Sequence, residues 1–205
     1  MPIQQVFPTL LYRDRLVGQA AARKLNHQIL LEAEDIASLD QAGQSWSKKN
    51  YRNGYTSYAS ANELQRVSPT FRKLEQAIDK HVARFSRALD LDLDRPLRMT
   101  TCWINVMDEN AHHGLHIHPL AVISGTYYVR SPAGASAIKF EDPRLPFTMH
   151  APPKKKKCRP ENQQFLQVPA TEGTVVLFES WLRHEVPQHP AGQPRVSVSF
   201  NYDWE

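Results

Sequence analysis

Cysteine is scarce in this sequence: the 205 residues include only Cys102 and Cys158, and these two fit no paired spacing. A disulfide framework or a zinc site made of cysteines is therefore not expected. The sequence also lacks any apolar run near the roughly 20 residues that cross a bilayer. Its first residues show neither a basic leader nor a long apolar core, so we expect a cytoplasmic protein without a signal peptide.

Acidic residues are slightly fewer than basic residues: the sequence has 21 Asp and Glu residues and 25 Lys and Arg residues, which gives a formal net charge of +4. The four consecutive lysines Lys154 to Lys157 account for this excess, and they lie in a polar stretch that contains several prolines. No aromatic residues alternate with the lysines, as they do on many surfaces that bind single-stranded nucleic acid. We therefore interpret the run as a solvated loop and expect no nucleic-acid partner.

The chain has no internal repeat and no low-complexity linker, and its length is sufficient to bury one full core. We therefore predict a single domain over residues 1–205. Residues 1–95 have mainly helical patterns, whereas residues 96–205 have mainly strand patterns. Helices followed by strands favour an α+β protein in which helices cover one face of an antiparallel sheet or barrel.

Two helices are predicted in the first half. Good helix formers with spaced apolar residues predict a helix within 13–39, and a polar, turn-rich segment follows at 41–60. The second helix is predicted over 68–89, with Ser68 as its N-cap and Pro69 in its first turn. Its apolar stripe, which we expect to pack on a sheet, consists of Phe71, Leu74, Ile78, Val82, Phe85 and Leu89.

Runs of β-branched and aromatic residues, separated by turn residues, predict the strands of the second half. These runs cover 99–107, 120–130, 136–140, 165–169, 173–178 and 194–204. In the last run Arg195, Ser197 and Ser199 alternate with apolar residues. If the apolar face packs under the helices, the polar face lies inside the barrel, where it needs a ligand, metal or water. For the adjacent Tyr127 and Tyr128 we favour Tyr127 as the pocket-facing residue, although parity alone would equally allow Tyr128.

Three histidines are candidates for a metal site. His116 and His118 are two residues apart beside a predicted strand, so their side chains can share one face, and His184 follows a later strand. Three such ligands leave positions open on a metal, as in non-haem Fe(II) oxygenases. Arg195 offers a planar fork for a carboxylate, and Ser197 adds a hydroxyl on the same face.

Other interpretations of these residues stay open. A His-x-His pair is often only a polar strand edge. The further candidate ligands are His112, His113, Asp108, Asp142 and Glu179. Asn105, in the run WINVM, is either a donor to a bound co-substrate or a satisfied polar residue.

The sequence resembles the bacterial 2-oxoglutarate/Fe(II)-dependent oxygenases of the double-stranded β-helix superfamily. The likeness covers nearly the whole chain. It rests on the opening from Phe7 to Tyr12, WINV at 103–106, HIHPLAVISGTYYV at 116–129, FEDPR at 140–144, FESWLRHEVP at 178–187 and RVSVSFNYDW at 195–204.

The resemblance implies a jelly-roll barrel with N-terminal helices on the outer face of its major sheet. It implies Fe(II) bound by His116, His118 and His184, with 2-oxoglutarate bound by Arg195 and Ser197 and O₂ as oxidant. One feature departs from the wider family, which most often has Asp or Glu where this chain has His118. Three neutral imidazoles leave Fe(II) its full charge of +2, so it is open whether His118 binds the iron or stands beside it.

The function implied is a hydroxylase that converts 2-oxoglutarate to succinate and CO₂ while hydroxylating a C–H bond of a small-molecule or peptide substrate. The segments 41–62 and 144–164 are expected to set its specificity. A second hypothesis is a cupin-like, three-histidine dioxygenase without 2-oxoglutarate, in which Arg195 binds the substrate carboxylate directly. A third is a non-catalytic binding module that acts through its basic loop.

The basic loop should be dispensable for the chemistry, because solvated lysines in a surface connection are seldom catalytic. Replacing Lys154 to Lys157 with serines is expected to leave 2-oxoglutarate turnover within a few-fold of the parent value. Turnover and thermal unfolding are measured on the same preparations. A collapse of turnover in a folded variant would instead make this loop a lid or a substrate clamp.

Overall fold

Two antiparallel sheets form the centre of the structure, a computed structural model that describes residues 2–145, 149–190 and 192–204. The strands are β1 (Leu11–Arg15), β2 (Gly54–Thr56), β3 (Arg98–Met107), β4 (His113–His116), β5 (Ile123–Arg130), β6 (Ile138–Glu141), β7 (Phe165–Val168), β8 (Thr174–Glu179), β9 (His184–Val186) and β10 (Arg195–Asp203). The major sheet has the order β1-β8-β5-β10-β3-β2, and the minor sheet has the order β4-β9-β6-β7. The predicted α+β class and jelly-roll barrel are confirmed.

Helices cover the outer face of the major sheet. Those on this face are α1 (Gln19–Leu39), α3 (Leu64–Val67) and α4 (Pro69–Ala88). Helix α2 (Gln41–Asn50) lies beside the edge strand β2, and a short 3-10 helix spans Pro160–Asn162. A large apolar cluster, here called the helix-side core, fills the space between α1, α4 and the sheet. None of the helices in the described residues is long and apolar enough to cross a membrane.

Helix α4 forms where the sequence predicts a helix, and for the predicted reasons. The Ser68 hydroxyl accepts hydrogen bonds from the backbone N–H groups of Thr70 and Phe71, which satisfies donors that a helix N-terminus leaves unpaired. The apolar stripe is buried against the sheet, with Leu74 and Ile78 fully inaccessible to solvent. Burying a side chain of this size contributes about 1.5–3 kcal/mol each, so the stripe anchors the helix.

The other N-terminal predictions need correction. Residues 13–15, at the start of the stretch 13–39 in which a helix is predicted, belong to the edge strand β1, which pairs with β8, and the helix begins only at Gln19. The segment 41–60, expected to be turns, contains α2, whose N-cap Asp40 accepts a hydrogen bond from the backbone N–H of Gly43. Local propensity predicts neither β1 nor α2. Pairing with β8 stabilises the strand β1, and the Asp40 cap stabilises the start of α2.

Strand β10 lies between β5 and β3 and separates the two interiors of the protein. Its residues Val196, Val198 and Phe200 belong to the helix-side core. Arg195, Ser197 and Ser199 point to the opposite side and line a pocket between the sheets. The alternation predicted for this strand is therefore confirmed.

The preference for Tyr127 as the pocket-facing tyrosine is wrong. In the register of β5 against β10, Tyr128 is paired with Ser197 and Tyr127 with Val198. Residues directly opposite in an antiparallel pair share a face of the sheet, so Tyr128 lies inside the barrel with Ser197. Tyr127 lies in the helix-side core, where its hydroxyl donates to Asn26 of α1.

Gly125 should be required where β5 crosses under the Phe200 ring. A Cβ at this glycine would lie 2.5 Å from Phe200 Cε2 and 2.7 Å from Leu177 Cδ2. Gly125→Ala is expected to lower the free energy of unfolding by about 1–3 kcal/mol, as overpacking of a close-packed core does. The control is Gly114→Ala, whose new Cβ would meet nothing within 4 Å. Chemical denaturation that gives equal stabilities for the two variants would contradict the packing described.

Candidate metal centre

Three histidines converge where β4 and β9 meet in the minor sheet. His116, the last residue of β4, is directly opposite His184, the first residue of β9. His118 lies two residues beyond β4, and its backbone N–H donates to the Ser180 carbonyl at 3.0 Å. One nitrogen from each of the three rings lies within 4.8 Å of the other two. The structure thus brings together the three histidines selected from the sequence, although only His116 and His184 are held by strand pairing.

The Nδ1 atom of each histidine already has a hydrogen-bond partner. His116 Nδ1 is 2.7 Å from the Gly114 carbonyl oxygen, and His184 Nδ1 is 2.9 Å from the Leu182 carbonyl oxygen. His118 Nδ1 is 2.6 Å from the side-chain oxygen of Asn201. These oxygens only accept, so in the neutral rings the proton is assigned to Nδ1 and the lone pair to Nε2. Three Nε2 lone pairs directed at one place are a suitable donor set for a divalent transition metal.

Burial keeps the rings of His118 and His184 neutral. Desolvation, with the neighbouring histidines adding to it, lowers the pKa of His184 to about 3. Desolvation also lowers the pKa of His118 to about 4, against the opposing effect of its hydrogen bond to Asn201. Near neutral pH both rings are therefore unprotonated, as metal coordination requires.

The alternative ligands named from the sequence are not members of the three-histidine group. Among the described residues, only His116, His118 and His184 form a group of potential metal ligands. His113 lines the same pocket, but its ring packs edge-on against Tyr51 at a centroid distance of 4.2 Å. Desolvation lowers its pKa to about 3. His112 is exposed.

The acidic alternatives are not part of the site either. Asp142 forms an ion pair with Arg144 at 2.7 Å. Asp108 and Glu179 do not line the pocket, and within the described part of the chain its lining contains no carboxylate.

One pocket joins the histidines to the polar face of β10. Its lining comprises Tyr51, Trp103, Asn105, His113, His116, His118, Gly125, Thr126, Ile138, Phe178, His184, Val186, Arg195, Ser197 and Ser199. Every site residue selected from the sequence is in this set. The predicted donor Asn105 uses its side-chain N–H to donate to Ser199 at 3.0 Å, and its side-chain oxygen has no partner.

Arg195 is a buried cation without an anionic partner. Its side chain is packed over the Tyr128 ring, with 5.0 Å between the guanidinium carbon and the ring centroid, and the residue is only 3% exposed. No carboxylate of the described residues forms an ion pair with it, and its Nε has no hydrogen-bond partner. An unpaired buried charge is costly, so this geometry is suited to an anionic ligand.

Two tyrosines lie near Arg195: Tyr128, which the sequence analysis left as the less favoured alternative to Tyr127, and Tyr51, which it missed. The hydroxyl groups of Tyr51 and Tyr128 are buried and have no hydrogen-bond partner. Burial raises the pKa of both phenols, so they remain protonated donors. The strand register shows that Tyr128 faces the barrel interior. No local sequence pattern predicts a pocket position for Tyr51, which immediately follows α2 and lines the pocket only because of tertiary packing.

These features define a jelly-roll protein with three clustered histidines beside a buried arginine. Residues 101–201 match the family described as "Putative 2OG-Fe(II) oxygenase". The family resemblance recognised in the sequence is thereby confirmed over these residues, which make up just under half of the chain. No curated protein matches this sequence.

Solved structures share the fold over almost the whole chain. HygX from Streptomyces hygroscopicus, solved with nickel and 2-oxoglutarate bound, has a TM-score of 0.62 at 13% identity, covering 95% of this chain and 83% of that one. A Pseudomonas putida prolyl-4-hydroxylase has a TM-score of 0.63 at 12% identity, covering 96% of this chain and 94% of its own. The epimerase SnoN from nogalamycin biosynthesis has a TM-score of 0.65 at 13% identity, covering 95% and 76%.

Loss of His116 or His184 should abolish iron binding, because the described residues offer only three candidate ligands and a site with one fewer would compete poorly with water. Either alanine variant is expected to bind no stoichiometric Fe(II) in anaerobic equilibrium dialysis, whereas His112→Ala should bind as the parent does. His118→Ala, measured in the same series, decides whether that ring is a ligand or a neighbour. Stoichiometric Fe(II) in the His116 or His184 variant would remove that residue from the ligand set.

Proposed function

We propose that this protein is a non-haem Fe(II)- and 2-oxoglutarate-dependent dioxygenase. It hydroxylates a C–H bond of a small-molecule or peptide substrate and releases succinate and CO₂. The observation that carries the proposal is a single pocket that contains three clustered histidines and a buried arginine, which lacks an anionic partner among the described residues. The family match over residues 101–201 supports the same assignment.

The residues present fit a divalent iron centre. His116, His118 and His184 would hold the metal through Nε2, since each Nδ1 is engaged by an oxygen acceptor. Imidazole is a suitable ligand for Fe(II), and three protein ligands leave positions open for co-substrate and O₂. His118 would take the place that Asp or Glu occupies in the wider family.

The residues beyond the histidines fit the far carboxylate of 2-oxoglutarate. Arg195 provides a buried guanidinium, and Tyr51 and Tyr128 provide two hydroxyls that lack partners. Ser197 lies on the same face of β10 as Arg195 and lines the pocket. A carboxylate accepts several hydrogen bonds, so binding it would satisfy donors that are otherwise costly to bury.

Fe(II) and 2-oxoglutarate together would supply the activation of O₂, with the overall balance R–H + 2-oxoglutarate + O₂ → R–OH + succinate + CO₂. The protein orients the co-substrate through Arg195. It also surrounds the reacting atoms with the apolar side chains of Ile138, Phe178 and Val186, which limit the access of water. HygX, solved with hygromycin B bound, supports a small-molecule substrate, and the P. putida prolyl-4-hydroxylase supports hydroxylation.

The test is 2-oxoglutarate-dependent O₂ consumption by protein reconstituted anaerobically with Fe(II). We expect slow uptake without a prime substrate, accompanied by succinate in equal amount to the 2-oxoglutarate consumed. A compound library then identifies substrates by the increase in that rate, and mass spectrometry identifies a gain of one oxygen atom. A rate of O₂ uptake that does not depend on 2-oxoglutarate but increases with another substrate would favour the cupin-like dioxygenase. Failure to retain any divalent metal would favour a binding module.

Arg195 should determine the affinity for 2-oxoglutarate and not the affinity for Fe(II). Truncating one partner of a buried charge pair typically costs about 2–5 kcal/mol, so Arg195→Met is expected to raise the apparent 2-oxoglutarate requirement about 30-fold or more. Fe(II) affinity should change little. Arg195→Lys is the matched control, because it keeps the charge but loses the planar fork. Unchanged use of 2-oxoglutarate by the Met variant would make Arg195 structural and put the cupin-like mechanism first.

A further inference from the structure

The three histidines differ in what holds Nδ1. His116 and His184 each contact the backbone carbonyl of the residue two positions before them, so their orientation is set locally within the minor sheet. His118 lies outside β4, and its Nδ1 contacts a side chain of the major sheet, the Asn201 oxygen at 2.6 Å. The orientation of His118 thus depends on a residue 83 positions away in the sequence.

Asn201 is itself fixed by a buried polar network. Its side-chain nitrogen donates to the Thr101 hydroxyl at 2.9 Å, and its oxygen also accepts from the Ser124 hydroxyl at 2.8 Å. Ser124 in turn is 2.7 Å from the hydroxyl of Ser180, and both serines are fully buried. The Ser124 hydroxyl donates to the amide oxygen, and the Thr101 hydroxyl accepts from the amide nitrogen. In this arrangement the oxygen of the amide faces His118.

The same network holds the backbone of His118. The Ser180 carbonyl accepts the His118 N–H at 3.0 Å, while its hydroxyl meets Ser124. Both the main chain and the ring of His118 are therefore tied to residues that interact with each other. Fully satisfied buried networks of this kind impose one arrangement on their members.

We propose that Asn201 is a positioning residue that makes His118 a metal ligand. By accepting from Nδ1–H, its amide oxygen selects the tautomer with the lone pair on Nε2 and fixes the ring plane towards His116 and His184. Because the acceptor is uncharged, His118 remains a neutral imidazole. The inference rests on the proposed function, in which His118 binds the metal.

The test measures Co(II) affinity by calorimetry under conditions where Co(II) replaces Fe(II) without redox change. Outer partners of ligand histidines typically contribute about 10–100-fold to metal affinity, and we expect a loss of that size for Asn201→Leu. Asn201→Asp keeps an acceptor oxygen in place and should bind Co(II) at least as tightly as the parent. The matched control is Asn26→Leu. Asn26 is a buried amide with two side-chain hydrogen bonds, but it lies beside the helix-side core, and its loss should leave Co(II) affinity within about twofold.

A spectroscopic signature separates positioning from a general loss of stability. Histidines that coordinate Co(II) through Nε2 carry an exchangeable Nδ1–H whose proton resonance is strongly shifted by the paramagnetic ion. The parent should show one such signal for each of the three ligand histidines. Asn201→Leu should lose one signal or make it exchange rapidly with water, and Asn201→Asp should restore it.

Thr101→Val is the second variant, and it carries the test if Asn201→Leu does not fold. It leaves Asn201 and His118 in place but removes the acceptor that orients the amide, so a loss of about threefold or more in Co(II) affinity is expected. Parent-like affinity and three retained signals in the folded variants would overturn the positioning role while the metal centre stands. A parent protein that binds no Co(II) would instead overturn the metal centre of the proposed function.

Discussion

The alternation of side chains along β10 is the constraint on which the rest of the structure depends. This strand is hydrogen-bonded on both edges, to β5 and to β3, so its register cannot slip without breaking both ladders. A shift of one residue would exchange its two faces. Val198 and Phe200 would then enter the pocket, and Arg195 would be buried in the helix-side core. The apolar burial that stabilises the helices therefore also fixes the chemistry of the pocket.

The pocket combines features that are unfavourable unless a ligand is bound. Its lining includes a buried guanidinium and, in the part of the chain that the structure describes, no carboxylate to balance it. Hydroxyls without partners add to this cost. With His118 in place of a carboxylate, a bound divalent metal would raise the positive charge further. A dianionic co-substrate would answer both demands, and because the described lining contains no carboxylate, the site should depend more strongly on that co-substrate.

The sequence reveals most of the site because its key residues obey local rules. Two-residue alternation predicts Arg195, Ser197 and Ser199 on one face, and one further step reaches Asn201, which the sequence analysis did not take up. Tyr51 could not be predicted in this way. It follows a helix that was itself missed, and only tertiary packing brings it to the pocket. Likewise, the short strands β4 and β9 are visible only once His116 and His184 face each other, because three or four residues carry too little pattern to predict a strand.

The family match begins at residue 101, but the pocket is also lined by a residue that precedes this position. Tyr51 contributes a buried hydroxyl from the segment between α2 and β2, and β2 adds the last strand of the major sheet beside β3. At the other edge, β1 pairs with β8, the strand that carries Phe178 into the pocket. Residues before position 101 thus complete both edges of the sheet that presents Arg195. A segment with these contacts is part of the unit that forms the pocket, which favours the predicted single domain.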